Sequence, residues 1–111
     1  MIDWARVEAL VDEVGAEDFG EIVDLFLTEV DTAVARLEAA GDNPVLLAEH
    51  MHFLKGAALN LGFDALARAC QKGETAAAMN APQAVTAAEL QEIYNQSRGV
   101  FERDLPGKLA A

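Results

Sequence analysis

Two histidines, His50 and His52, stand two positions apart, and Lys55 follows three places after the second. A neutral imidazole is a nucleophile near pH 7, with an unperturbed pKa of about 6.5. An ammonium group one helical turn further on can balance charge on the equatorial oxygens of a phosphoryl group under in-line attack. The pair His52 and Lys55 therefore suits phosphoryl transfer. Gly56 adds a second signal. A glycine inside a helix costs about 1 kcal/mol relative to alanine, and its missing side chain opens a path to His52.

These residues share a side only if their segment is helical, and its apolar period says that it is. At about 100° per residue, Leu47, Met51, Leu54, Ala58 and Leu61 form one buried face. His52, Lys55, Gly56 and Leu59 then fall on the outward side, with Leu59 offering an apolar contact to whatever approaches. His50 lands on the flank of the core face and reads as a structural residue with a satisfied ring. Cys70, the single cysteine, reads as a small core side chain. Glu49 and His52 make one Glu-x-x-His pair, which admits a metal-binding four-helix bundle as a rival from another class. A di-iron bundle needs two such pairs and two more carboxylates, and 2 histidines are too few. No metal site and no cofactor are expected on this chain.

The remaining elements must hold this helix in place, and all of them read as helices. Asp3 caps a short first one carrying Val7, Leu10, Val11 and Val14, which Gly15 ends. A second carries the stripe Phe19, Ile22, Val23, Phe26, Leu27, Val30, Val34 and Leu37 and stops at Gly41. Asn43 and Pro44 open the third, and Gly62 breaks it after Leu61. Asp64 caps a fourth, with Leu66, Ala69, Cys70, Gly73 and Ala77 inward, that fades near Asn80, Ala81 and Pro82. Thr86 and Glu89 have capping-box spacing, and Leu90, Ile93, Tyr94, Ser97, Phe101 and Leu105 line a last helix expected to stop before Pro106. Four long helices with short connections predict an all-α fold: an antiparallel four-helix bundle, with the short N-terminal helix across one end, as a single domain over residues 1–111. In a hairpin turning at Gly62, residues about ten places either side are level, which sets Gln71 to Glu74 beside His52. Either Glu74 or Gln71 can accept the Nδ1 hydrogen of His52, leaving Nε2 free to attack.

Composition narrows the function classes. The chain of 111 residues is 52% hydrophobic and 24% charged, as a packed domain should be. With 8 Lys+Arg against 19 Asp+Glu, its net charge of -11 repels a phosphate backbone or an anionic membrane face. Neither nucleic acid nor membrane is an expected partner. One cysteine cannot build a disulfide framework, and MIDWARVEAL has neither a basic leader nor a long apolar run. A reduced, cytoplasmic protein is expected. No Gly-rich nucleotide loop is present, so a phosphoryl carrier without kinase activity is favoured over an enzyme that uses ATP.

The string His52-Phe53-Leu54-Lys55-Gly56-Ala57-Ala58-Leu59-Asn60-Leu61-Gly62-Phe63, followed by Leu66, Cys70 and Glu74, resembles the signature of histidine phosphotransfer (HPt) domains. That pattern is His-x-Leu-Lys-Gly-Ser-Ser-x-x-Leu-Gly-Ala, then Leu, Cys and an acidic or amide residue at fixed spacings. The resemblance implies a four-helix bundle that carries a phosphoryl group between the aspartates of response-regulator receiver domains, with a hybrid sensor histidine kinase as a further partner. It makes His52 the phospho-acceptor, Lys55 the phosphate-side cation and Gly56 the clearance position. Glu74 occupies the family's acidic position and is the first choice to orient His52, with Gln71 second. Phe53 and Leu59 are the candidates for apolar partner contact. Mg²⁺ is expected on the receiver only, and the chain is expected to be a monomer. The nearest alternative is the phospho-accepting first domain of a chemotaxis-type histidine kinase, which has the same bundle and a similar His-x-x-Lys-Gly motif but is followed by kinase modules. Two departures stand out. Ala57 and Ala58 replace the commoner serines, and Gly73 stands where leucine is usual. Gly73 either loosens the fourth helix or lets it approach the third more closely. Lys55, Arg68 and Lys72 are expected to leave a basic spot on an otherwise acidic surface.

Overall fold

In the computed structural model, which describes residues 1–82 and 84–110, the chain runs as five helices: α1 (Trp4–Val14), α2 (Ala16–Ala40), α3 (Pro44–Leu61), α4 (Asp64–Ala78) and α5 (Ala87–Ala110). No strand occurs among the described residues. The start signals act through the contacts that their chemistry predicts. Asp3 accepts from the Arg6 amide, Asn43 accepts from the amides of Val45 and Leu46 with Pro44 just inside, and the Thr86 hydroxyl accepts from the Glu89 amide.

Two expected boundaries are corrected. Asp64 does not cap α4: Phe63 is the residue before the helix, and no side chain caps it there. Phe63 is fully buried against Tyr94 and Phe101, and its amide donates to the Ala58 carbonyl at 2.8 Å. Anchoring that ring brings the helix start to Asp64, whose carboxylate instead lies 3.7 Å from Arg68 one turn on. The last helix does not stop before Pro106 but continues through it. A proline this close to a helix end removes one internal hydrogen bond, and Pro106 itself is exposed, in the last turns where the helix has few further bonds to lose. Beyond it Lys108 sits over the Trp4 ring, and Trp4 itself stacks on Phe101 at 5.9 Å between centroids.

Gly62 makes the turn between α3 and α4. Its φ of 84° is left-handed, and a Cβ there would lie 2.8 Å from the Asp3 carbonyl oxygen. The Asp3 amide donates to the Gly62 carbonyl at 2.7 Å and the Arg6 guanidinium to the Asn60 carbonyl at 3.1 Å, which fastens α1 onto this turn. α3 packs more extensively on α4 than on any other helix. Met51, Leu54, Ala58 and Leu61 of α3 and Leu66 and Cys70 of α4 are shut off from solvent. Burying each of the larger apolar side chains contributes about 1.5–3 kcal/mol. That seam fixes α3 about its own axis, and so decides which of its residues face outward.

Candidate functional site

With the apolar face of α3 turned inward, His52, Phe53, Gly56, Leu59 and Asn60 face solvent. The His52 side chain is 67% exposed, and its Nδ1 lies 3.0 Å from Oε1 of Glu74 on α4. An ionised carboxylate has no hydrogen to give, so in this contact the ring carries its proton on Nδ1 and donates it. In the neutral ring Nε2 is then the nitrogen that carries the lone pair. The other oxygen of Glu74 accepts from Lys55 Nζ at 3.2 Å, and Lys55 also donates to Gln71 Oε1 at 2.8 Å. Gln71 is kept in that orientation by its own amide nitrogen, which donates to Thr75 Oγ1 at 3.1 Å. Five side chains on two helices thus form one connected polar chain, ending in an imidazole with one nitrogen bound and one free.

Exposure grades across this chain. Glu74 and Lys55 are mostly covered, at 26% and 20%, whereas His52 stands out. Gly56, one turn beyond His52, is exposed, and a Cβ built on it would meet no heavy atom within 4 Å. His52, Glu74, Glu49 and Ala48 line one open depression of about 440 Å³ beside the ring. Among the described residues no three His, Cys, Asp or Glu side chains converge as a metal-binding set. Cys70 lies beneath the site and is fully buried. Burial pushes its thiol up to about 12, and the nearby Glu74 adds to this against the opposing charge of Lys55.

The structure brings His52, Lys55, Glu74 and Gln71 together and separates the two apolar contact candidates. Phe53, 49% exposed, turns toward α2 and lines a depression with Leu25, Thr28 and Arg36. Leu59, 52% exposed, turns toward α4 and lines another with Ala67 and Arg68. They flank His52 on opposite sides rather than forming one patch. Of the three cations expected to form a basic spot, Lys55 is paired with Glu74 and Arg68 with Asp64, whereas Lys72 is exposed with no ion pair among the described residues. His50 is half-buried on the flank of the core face, and its ring has no hydrogen-bond partner within the protein among the described residues. Thr75 escaped the sequence reading altogether. Its signal was the four-residue spacing from Gln71, which puts the two side chains on one face of α4.

A family model described as the Hpt domain matches residues 21–100. The chain belongs to the Hpt domain family. Histidine phosphotransfer within phosphorelays is the work of such domains. No curated protein matches the chain, and no solved structure does. In this Hpt domain the matched span runs from Glu21, inside the first turns of α2, to Val100 on α5, and it contains every residue of the polar chain around His52.

Proposed function

We propose that this Hpt domain accepts a phosphoryl group on Nε2 of His52 from a receiver aspartyl phosphate and returns it to another receiver. The observation that carries this reading is the 3.0 Å contact between Nδ1 and Glu74 on a ring that is otherwise exposed. In the neutral ring this contact favours the tautomer whose lone pair is on Nε2. In the forward step the Nε2 lone pair attacks phosphorus, the N–P bond forms as the acyl phosphate O–P bond breaks, and the receiver's aspartate leaves as a carboxylate. The imidazole becomes more cationic as this happens. Glu74, already on Nδ1–H, balances that charge, and Lys55 exchanges Glu74 or Gln71 for a phosphoryl oxygen. Return transfer reverses each of these changes.

The four longer helices are read as an antiparallel bundle. α2 packs on α3, α3 on α4, α4 on α5 and α5 on α2, and α1 contacts α2 and α3 at the end that carries the Gly62 turn. We assign to the chain the role of a carrier and not of a kinase, with receiver domains and a hybrid sensor histidine kinase as partners. Mg²⁺ belongs in the receiver's carboxylates in the complex. Phe53 and Leu59, on the two sides of Gly56, are the apolar contacts offered to the receiver.

Incubation with phosphorylated receiver domains tests this. The chain should take an acid-labile, base-stable label, His52→Gln should take none, and His50→Gln should label as the parent does. Full labelling of His52→Gln removes the assignment.

A further inference from the structure

Gly73 precedes Glu74 on α4 and is buried against α3. A Cβ built on it would lie 2.5 Å from Met51 Sδ, 3.0 Å from Met51 Cε and 3.2 Å from Val85 Cβ. Ordinary contact between such atoms is about 3.5–4.0 Å, so the space for one methyl group is missing by about 1 Å. The space is closed from two directions. Met51 is fully buried on α3 directly before His52, and Val85, from the connection between α4 and α5, is buried too. Met51 meets that position with the flexible end of its side chain, which can give only by repacking within the core, and Val85 would have to shift by a few tenths of an ångström. Gly73 itself fills none of this space. It lets α4 come close to α3 at the level of the exposed histidine.

We propose that Gly73 is a positioning residue for the phosphotransfer centre: its missing side chain sets the separation of α3 and α4 at which Glu74 reaches Nδ1 of His52. The inference rests on the function proposed above and deepens it. Met51 and His52 are adjacent on α3, and Gly73 and Glu74 are adjacent on α4, so the buried contact and the exposed hydrogen bond share one crossing of the two helices. Moving α4 outward by the missing distance of about 1 Å would stretch the Nδ1 to Oε1 contact from 3.0 Å to beyond hydrogen-bonding range. Lys55 would lose Glu74 in the same movement, since Oε2 accepts from it at 3.2 Å. A methyl group inside the bundle would thus disarm a ring on the surface. The effect runs against intrinsic preference, because alanine is the better helix former.

The test uses the whole chain with ¹⁵N-labelled histidine. Long-range proton–nitrogen correlation reads the His52 tautomer, and labelling by phosphoramidate, a small donor that needs no receiver, reads the reactivity of Nε2. The parent should show the Nδ1–H tautomer. Gly73→Ala should remain helical by circular dichroism, lose most of that tautomer, and label about tenfold more slowly. Adding Met51→Ala to Gly73→Ala should restore both. A folded Gly73→Ala with parental tautomer and rate overturns the proposal. If Gly73→Ala does not fold, the double variant decides: folding with the parental tautomer supports crowding by Met51 as the cause, and failure to fold, or the other tautomer, overturns it. The two readings also fail separately. A tautomer shift in Gly73→Ala, with a parent that takes no phosphoryl group from receivers, upholds the positioning role and sinks the carrier. Receiver transfer that Gly73→Ala leaves unchanged does the reverse.

Discussion

Glu74 holds two partners with two different oxygens, the His52 ring on Oε1 and the Lys55 ammonium on Oε2, so its charge and its shape can be separated by mutation. In Glu74→Gln an amide oxygen still accepts from Nδ1–H, but no negative charge remains to hold Lys55 or to balance a phosphorylated ring. Glu74→Ala removes the acceptor as well. Hydrogen bonds to charged groups are worth about 1.5–3 kcal/mol, so initial labelling rates from a phosphorylated receiver should fall several-fold in Glu74→Gln and about 10–100-fold in Glu74→Ala. Parental rates in both would take Glu74 out of the site. The outward placing of His52 and Gly56 was legible in the sequence because helical period fixes where each Cβ points. The resting partners of Lys55 were not. A flexible four-carbon stem ends wherever the facing helix offers acceptors, and those acceptors belong to α4. Gln71 and Glu74 were alternatives for the same ring nitrogen, yet the half-buried carboxylate meets the ring and the more exposed amide meets the lysine.

At the scale of helices, two glycines on the two arms of the α3–α4 hairpin have opposite uses. Gly73 faces inward and is closed in by Met51 and Val85, whereas Gly56 faces outward and touches nothing. Gly56→Gln should therefore keep the fold and raise stability by about 0.5–1 kcal/mol from helix propensity alone. It should still slow acceptance from a receiver at least tenfold by occupying the approach to His52, at a rate set by sterics. Thermal melting paired with receiver labelling checks both halves. A variant that melts higher and accepts at the parental rate shows that the clearance is not needed. Caps were legible wherever a short polar side chain could satisfy free amides locally, as at Asp3, Asn43 and Thr86. The register of α4 against α3 was legible from the length of the hairpin about Gly62. The start of α4 was not, because burial of Phe63 against rings of α5 outweighs a cap at Asp64, and that partnership is tertiary. The continuation past Pro106 was hidden for a similar reason, since Trp4 of α1 supplies the surface on which the last turns rest.

Across the whole molecule the acidic excess is local as well as global, and most cations are already matched. Arg6 pairs with Glu13, Lys55 with Glu74, Arg68 with Asp64, Arg98 with Asp31 and Glu102, and Arg103 with Asp104. The interior carries its own pH sensitivity, in two groups that fold in their neutral form. Burial, reinforced by Glu74, pushes the Cys70 thiol from 9.0 up to about 12. Burial and a hydrogen bond to Asp31 push the Tyr94 phenol from 10.0 up to about 12, against the pull of Arg98. Both are acids whose pKa is raised by folding. Below about pH 9 the folded and unfolded chains hold the same protons on these groups, and their contribution to stability is complete. As pH climbs from about 9 toward 12 the unfolded chain releases protons that the folded chain keeps, so stability falls with rising pH. The urea midpoint should accordingly drop between about pH 7 and about pH 10.5, and Cys70→Ala should lose less than the parent over that interval. Equal losses in parent and variant would mean that the thiol ionises as readily in the folded chain as in the unfolded one. That outcome would contradict a sealed seam between α3 and α4, because water reaching Cys70 must pass between the helices that hold His52 and Glu74 together.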